Sequence, residues 1–253
     1  MRAVAISSIV IQIRSEKQMN IIFFGDSLTE GIPGISYFDI LKEKLPQHTL
    51  VNAGKGGDTV ISLHRRIKKM NLNETYDIAF LWIGTNDILV HVSKKYPIIK
   101  TCCMQPWAKN INDFSNRYQK LLELISKNAK KIFVVSPAII GEDVNNKWNK
   151  KLGELSLEIK RISSKFKNVE YVDMHKEFAS FLSTKKPSKF ILNGIVRDII
   201  AAWFFNIPER VEKKSRERGL YLTFDGAHLN AAGAQMVSNI FLRYIKNEMR
   251  RSN

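Results

Sequence analysis

Cysteine is almost missing from this chain. Its 253 residues hold two, and they are neighbours, Cys102 and Cys103. Adjacent thiols build no disulfide framework, and no Cys-x-x-Cys or His-rich spacing suggests a metal site. Long apolar runs are lacking too, so no segment reads as a membrane-spanning helix. There is no internal repeat and no low-complexity tract. Acidic side chains are in short supply: 24 Asp and Glu face 40 Lys and Arg, a net charge of +16. The imbalance is uneven, with 13 basic against 9 acidic residues in 1–100 and 27 against 15 in 101–253. No RNA-recognition, KH-like or zinc-finger pattern accompanies it, so specific nucleic-acid binding is not expected. A weak attraction to anionic membrane surfaces or acidic polymers is the expectation left by the charge.

What is present fits one globular domain. The apolar and charged fractions, 44% and 25%, are ordinary, and the length suffices for a substantial core. Residues 1–18 read as an N-terminal extension to a domain over 19–250. Arg2 precedes an apolar stretch from Ala3 to Ile13, as in a signal peptide, but Arg14-Ser15-Glu16-Lys17 is a poor cleavage site. Met19 stands directly before the first strand of the domain. A cytoplasmic protein with a dispensable leader is therefore expected, with export as the alternative.

Strand and helix patterns alternate, which predicts a parallel sheet covered by helices. Short buried strands are predicted at 20–24, 49–52, 78–83, 132–135 and 169–172, several closed by Gly or Pro. Between them run helical stripes. Ile111, Phe114, Tyr118, Leu121, Leu122 and Ile125 form one, and Leu152, Leu155, Ile159 and Ile162 another. Asn230 is the predicted N-cap of a last helix.

Four tetrapeptides stand at the ends of these elements. Gly25-Asp26-Ser27-Leu28 follows the first strand, Gly56-Gly57-Asp58-Thr59 the second, and Gly84-Thr85-Asn86-Asp87 the third. Asp225-Gly226-Ala227-His228 precedes the last helix. The carboxyl ends of strands are where open α/β sheets place their ligands, so the four converge. A serine hydroxyl needs an adjacent base to become a nucleophile. Ser27 is the candidate nucleophile, His228 the base, and Asp225 the acid that holds Nδ1 and leaves Nε2 for the serine. The amides of Ser27 and Gly57 and the side-chain amide of Asn86 can donate to the oxyanion that forms during attack.

At these residues the chain resembles the SGNH (GDSL) hydrolase family. Phe24-Gly25-Asp26-Ser27-Leu28-Thr29 is similar to its first block, and the run Asn52 to Thr59 to its second. Gly84 to Asp87 is similar to its third, with the oxyanion asparagine, and Asp225 to His228 to its last, with acid and base. The resemblance spans about Met19 to Tyr244. It implies a flavodoxin-like three-layer α/β/α sandwich around a parallel five-stranded sheet. It also implies a serine mechanism without metal or cofactor, and esterase, lipase or carbohydrate-deacetylase chemistry.

Other polar residues receive plainer expectations. Asp26 and Asp58 are expected to cap turns, Asp87 to start one. His175 is expected at the surface or in a loop, and His48, His64 and His91 carry no motif. The segment from about 176 to 222 reads as a helical, basic insertion. Its stripe from Leu192 through Trp203, Phe204 and Ile207 suits a lid or an ordinary packed helix, and Arg210, Lys213, Lys214, Arg216 and Arg218 suit a basic collar. Trp107, Trp203 and Phe204 are the candidate substrate-binding residues, with Met104 nearby. A lysophospholipid or short acyl ester is the first expected substrate. A carbohydrate O-acetyl ester is the second, and a catalytically silent protein binding anionic partners is the alternative outside enzymes.

Overall fold

The computed structural model describes residues 18–70, 72, 74–92, 95–191 and 207–252. The expectations for residues 1–17, and for the stripe over 192–206 with Trp203 and Phe204, lie outside the described residues. Among those described, no helix is long and apolar enough to cross a membrane.

Five strands carry the fold: β1 Asn20–Gly25, β2 Thr49–Gly54, β3 Tyr76–Trp82, β4 Ala129–Val135 and β5 Val169–Val172. All pair in parallel, in the order β2-β1-β3-β4-β5. Side chains on a strand alternate between faces, so a run such as Ile-Ile-Phe-Phe must be covered on both. Ile21 and Phe23 enter one core with Phe80 and Phe133; Ile22 and Phe24 enter the other with Leu81 and Val134. β2 and β3 are longer than the sequence predicts. β4 begins three residues earlier, at Ala129, where Lys130 and Lys131 pair with Asp77 and Glu170. Charged ends hide a strand from a search for apolar runs.

Helices form the outer layers. The first core is covered by α2 Tyr37–Lys44, α8 Met174–Leu182 and the last helix, Ala231–Ser252. The second is covered by α3 Val60–Lys69, α6 Ile111–Ile125 and α7 Lys147–Ser163. Phe241 of the last helix stacks on Phe80 at 4.5 Å, and Phe80 on Phe23 at 5.0 Å, so an aromatic column fixes that helix to the middle of the sheet. The expected α6 stripe is buried except Ile111, the first residue of the helix, which is 45% exposed. Asn230 caps the last helix as expected, accepting from the Gly233 N–H at 3.0 Å.

The segment read as inserted is in part built into the domain. Met174, Phe178 and Leu182 of α8 belong to the first core. The basic helix Pro208–Glu217 buries Val211 against Phe224, and Glu212 accepts from the Ala231 N–H at 2.8 Å. Arg218, expected in the collar, instead braces the loop ahead of Asp225. It donates to the Phe224 carbonyl at 2.9 Å and lies 4.4 Å from the Phe190 ring centroid.

Candidate active site

The strand order reverses between β1 and β3, since the chain runs outward from β1 to β2 and returns to β3 on the other side. Such a reversal leaves a crevice at the carboxyl ends of the strands. Three short helices start there: α1 Ser27–Glu30 after β1, α4 Thr85–Leu89 after β3, and α5 Tyr96–Cys102. Gly25 allows the tight exit from β1, because a Cβ there would collide with Thr29 Oγ1 and the Trp82 carbonyl. Asp26 then caps α1, accepting from the Leu28 N–H at 3.0 Å, and Ser27 takes the first helical position.

Ser27 and His228 are 201 residues apart in the chain, and their Oγ and Nε2 lie 2.9 Å apart. His228 Nδ1 lies 2.7 Å from Asp225 Oδ2. The other Asp225 oxygen accepts from the Ala227 and His228 N–H groups at 3.0 and 2.8 Å, which fixes the carboxylate within its own turn. The imidazole also lies against Phe224, ring centroids 6.1 Å apart. All three side chains are buried. Burial alone would push the Asp225 carboxyl up. The His228 charge, its hydrogen bond and the two amides outweigh this and hold it below the usual carboxylate range. For His228 burial acts downward, and the charge and hydrogen bond of Asp225, with Asp26 behind, raise it above the ordinary imidazole value.

The oxyanion candidates stand on the other side of the serine. The N–H groups of Ser27 and Gly57 donate to no group among the described residues. The Asn86 amide links the neighbours of both: Nδ2 donates to Asp26 Oδ2 at 3.2 Å and to the Asp58 carbonyl at 3.0 Å. Its Oδ1 accepts from the Tyr96 hydroxyl at 2.6 Å. Asp26 is thus more than the expected cap. Burial pushes its carboxyl up to about 6, against the Leu28 N–H and the charges of His228 and Lys100. Asp58 pairs with Arg66 at 2.8 Å.

Asp87 departs from the expected turn start. It is buried and accepts from the Val60 N–H at 2.9 Å and the Ala108 N–H at 3.2 Å, tying α4 to α3 and to the loop before α6. Burial pushes it up to about 7. His175 departs as well: it is the second residue of α8, half-buried, with its N–H on Ser136 Oγ at 3.0 Å and Nδ1 2.6 Å from the Ala138 carbonyl. His48 is buried, and its Nδ1 accepts from the Met19 N–H at 3.2 Å.

Trp107 is half-buried in a small apolar cluster that includes Ala227, next to the candidate base, while Met104 is 84% exposed. Sequence reading missed several supports. Glu142, after β4, is buried and accepts from the N–H groups of Tyr221, Leu222 and Thr223 and from the Thr223 hydroxyl, at 2.6–2.9 Å. It therefore anchors the loop that carries Asp225. Gly141 donates to the Gly226 carbonyl beside it at 2.6 Å. Lys100 and Gln105, in and after α5, reach the Gly56-Gly57 turn. No sequence pattern marks Lys100, because burial of a single lysine is not readable from spacing.

A family model, the GDSL-like Lipase/Acylhydrolase family, matches residues 23–189. The chain belongs to this family. It is an ester-cleaving GDSL hydrolase with the α/β fold described above. The matched span holds Ser27, Gly57 and Asn86; Asp225 and His228 lie past it and reach the serine through the fold. Among solved structures, the acetyl xylan esterase AlAXEase is similar with a TM-score of 0.62 and 24% identity, covering 90% of this chain and 100% of that one. Axe2, an acetylxylan esterase from Geobacillus stearothermophilus, is similar with a TM-score of 0.62 and 18% identity, covering 91% and 94%. LAE5, an alpha/beta hydrolase from the metagenome of Lake Arreo in Spain, gives 0.61 and 18%, covering 89% and 94%. At these identities the likeness establishes the fold. No curated protein matches the chain.

Proposed function

We propose that this GDSL hydrolase cleaves short acyl esters through an acyl-enzyme on Ser27, with His228 as general base and Asp225 as its orienting acid. The unbroken line of Oγ, imidazole and carboxylate, at 2.9 and 2.7 Å, is the observation that carries the reading. His228 Nε2 takes the Ser27 proton as Oγ attacks the ester carbonyl. Asp225 keeps Nδ1 protonated and stabilises the imidazolium. The N–H groups of Ser27 and Gly57 and the Asn86 amide meet the oxyanion. For Asn86 this means exchanging its longer bond, to Asp26, for the new anion. His228 then protonates the leaving alcohol, and a water activated by the same histidine releases the acid.

Within that reading, O-acetylated carbohydrate is the substrate class that the acetylxylan esterases among the structural neighbours favour. The lipid-ester alternative leans on the apolar stripe over 192–206. Hydrolysis of p-nitrophenyl esters from acetate to palmitate, with Ser27→Ala alongside, tests the proposal. Serine-dependent turnover that peaks at acetate supports it, and an optimum at long chains replaces the short-acyl substrate with a lipid one. Turnover that survives Ser27→Ala removes the mechanism.

A further inference from the structure

Lys100 is a buried ammonium, 1% exposed, and it makes no direct ion pair among the described residues. Sequestering such a charge costs several kcal/mol unless strong partners compensate, so an apolar side chain would fill the space with less penalty. Its partners are specific. Lys100 Nζ donates to the Gly57 carbonyl and, at 3.2 Å, to Gln105 Oε1, and it lies 5.0 Å from the Tyr96 ring centroid. The Gln105 amide then donates through Nε2 to the Gly56 carbonyl at 2.9 Å.

Peptide planarity gives these contacts a consequence. The Gly57 N–H belongs to the same rigid unit as the Gly56 carbonyl and points the opposite way. Fixing the Gly56 carbonyl therefore aims the Gly57 N–H, and fixing the Gly57 carbonyl locks the next unit. Two adjacent glycines otherwise offer little resistance to a peptide flip, and Gly57 already sits at φ +76°. A Cβ on Gly57 would lie 2.5 Å from Gln105 Oε1 and 2.8 Å from Lys100 Nζ, so the two side chains are pressed against the turn. Tyr96, one turn before Lys100, donates to Asn86 Oδ1 and so decides that Nδ2 faces the serine side.

We infer that Tyr96, Lys100 and Gln105 are positioning residues that hold both oxyanion donors, the Gly57 N–H and Asn86 Nδ2, in their donating orientation. The inference rests on the serine-esterase reading. It lies outside the four sequence blocks, and it assigns a role to α5 and the turn after it. The ammonium also sets a positive charge against the Gly57 carbonyl. It is faced by Asp26 ahead of α1, Asp58 ahead of α3, Asp87 in α4, and Tyr96 and Cys103 of its own segment. Burial brings Lys100 down to about 8 against the pull of those carboxylates.

The test compares wild type with Lys100→Met and Gln105→Glu, using p-nitrophenyl acetate turnover and the rate of Ser27 labelling by a phosphonate probe. Gln105→Glu keeps the shape but replaces the donor to the Gly56 carbonyl with an oxygen. Each variant is expected to lose about 10- to 100-fold in kcat and in labelling rate, with KM within about twofold. Wild-type kcat should also fall partway as Lys100 loses its proton near about pH 8, and this alkaline step should vanish in Lys100→Met. Should Lys100→Met fail to fold, Gln105→Glu at its half-exposed position decides the matter alone. Wild-type kcat in a folded Gln105→Glu, with Ser27→Ala inactive, overturns the inference and leaves the esterase standing. Loss of melting temperature without change in kcat assigns the residues to stability only, and overturns it too. Activity that survives Ser27→Ala would instead remove the underlying mechanism.

Discussion

On the nucleophile side of the site, Ser27, His228 and Asp225 bond to one another, and among the described residues the Asp225 carboxylate otherwise accepts from two N–H groups of its own turn. On the oxyanion side, Gly57 and Asn86 are held by Tyr96, Lys100, Gln105 and Asp26, none of which moves a proton in the proposed reaction. In the proposed reaction the first half is a chain of reacting groups, and the second is a pair of donors inside a frame. Damage to the first half should therefore be near-complete. Damage to the second should be graded, because a donor can be lost, misaimed or merely loosened.

The largest effect separates the halves outright. Ser27→Ala and His228→Ala should each cost at least about 10⁴-fold in kcat/KM, since nucleophile and base act as a unit. Asp225→Asn is the finer probe. The amide oxygen can still accept from the Ala227 and His228 N–H groups, so the turn survives while Nδ1 loses its carboxylate. A loss of about 10³–10⁴-fold with an unchanged melting temperature is expected. A loss below tenfold would take Asp225 out of the proposed role. Asn86→Ala comes next, at about 10²–10³-fold in kcat with little change in KM, because the oxyanion exists only along the reaction. A KM effect with normal kcat would place Asn86 in substrate binding instead.

Glu142 sharpens the comparison from the side of stability. Glu142→Ala leaves three N–H groups, two of them buried, and one buried hydroxyl without their acceptor. At least about 3 kcal/mol of destabilisation should follow, read by denaturant unfolding. The loop so released carries Asp225 and His228, so activity should fall in the folded fraction as well. If unfolding changes by less than about 1 kcal/mol, the loop has another anchor.

Charge gives the next prediction. The proposed base must be neutral to accept a proton, and its pairing with Asp225 raises its pKa above the imidazole norm of 6.5. The acid limb of kcat/KM should therefore lie above pH 6.5, and Asp225→Asn should move it downward. For stability the sign is the reverse. A raised His228 favours the fold below its unfolded pKa, and that contribution disappears as pH rises through its folded value. Asp225, held low, favours the fold above its unfolded pKa and loses this as pH falls through the folded one. An acid limb below pH 6.5 would contradict the pairing.

The same contrast explains what the sequence could and could not disclose. Asp225 and His228 are three residues apart, and Ser27 comes two residues after its strand, so the first half lies in short local patterns. The five strands were readable for a similar reason, since each holds a short apolar run; what escaped was their ends, at Ala53-Gly54 of β2, Tyr76-Asp77 of β3 and the charged start of β4. The frame of the second half works across space. Gln105 reaches a carbonyl 49 residues away and Lys100 one 43 away; the anchor of the loop in the first half is as remote, since Glu142 holds N–H groups some 80 positions on. No periodicity announces such contacts. Asp87 misled for this reason, because a short carboxylate before a turn looks identical whether it caps locally or clamps α3 to a distant loop.

The smallest effect lies in the basic run next to the triad loop, where neighbours in sequence play opposite parts. Lys213 is exposed, and its contact with Glu217 at 3.9 Å is a surface pair with both side chains largely in water, worth little. Arg218, five residues on, spans from the Phe190 ring to the Phe224 carbonyl, one residue before Asp225. Arg218→Ala should lower stability by about 1–2 kcal/mol and loosen the triad loop. Lys213→Glu should leave melting temperature and p-nitrophenyl acetate turnover unchanged. The two outcomes together would show the run to be half brace and half solvated face. If Lys213→Glu instead weakened binding to anionic vesicles, the solvated half would be the basic collar that the composition led one to expect, acting on a surface rather than on the ester.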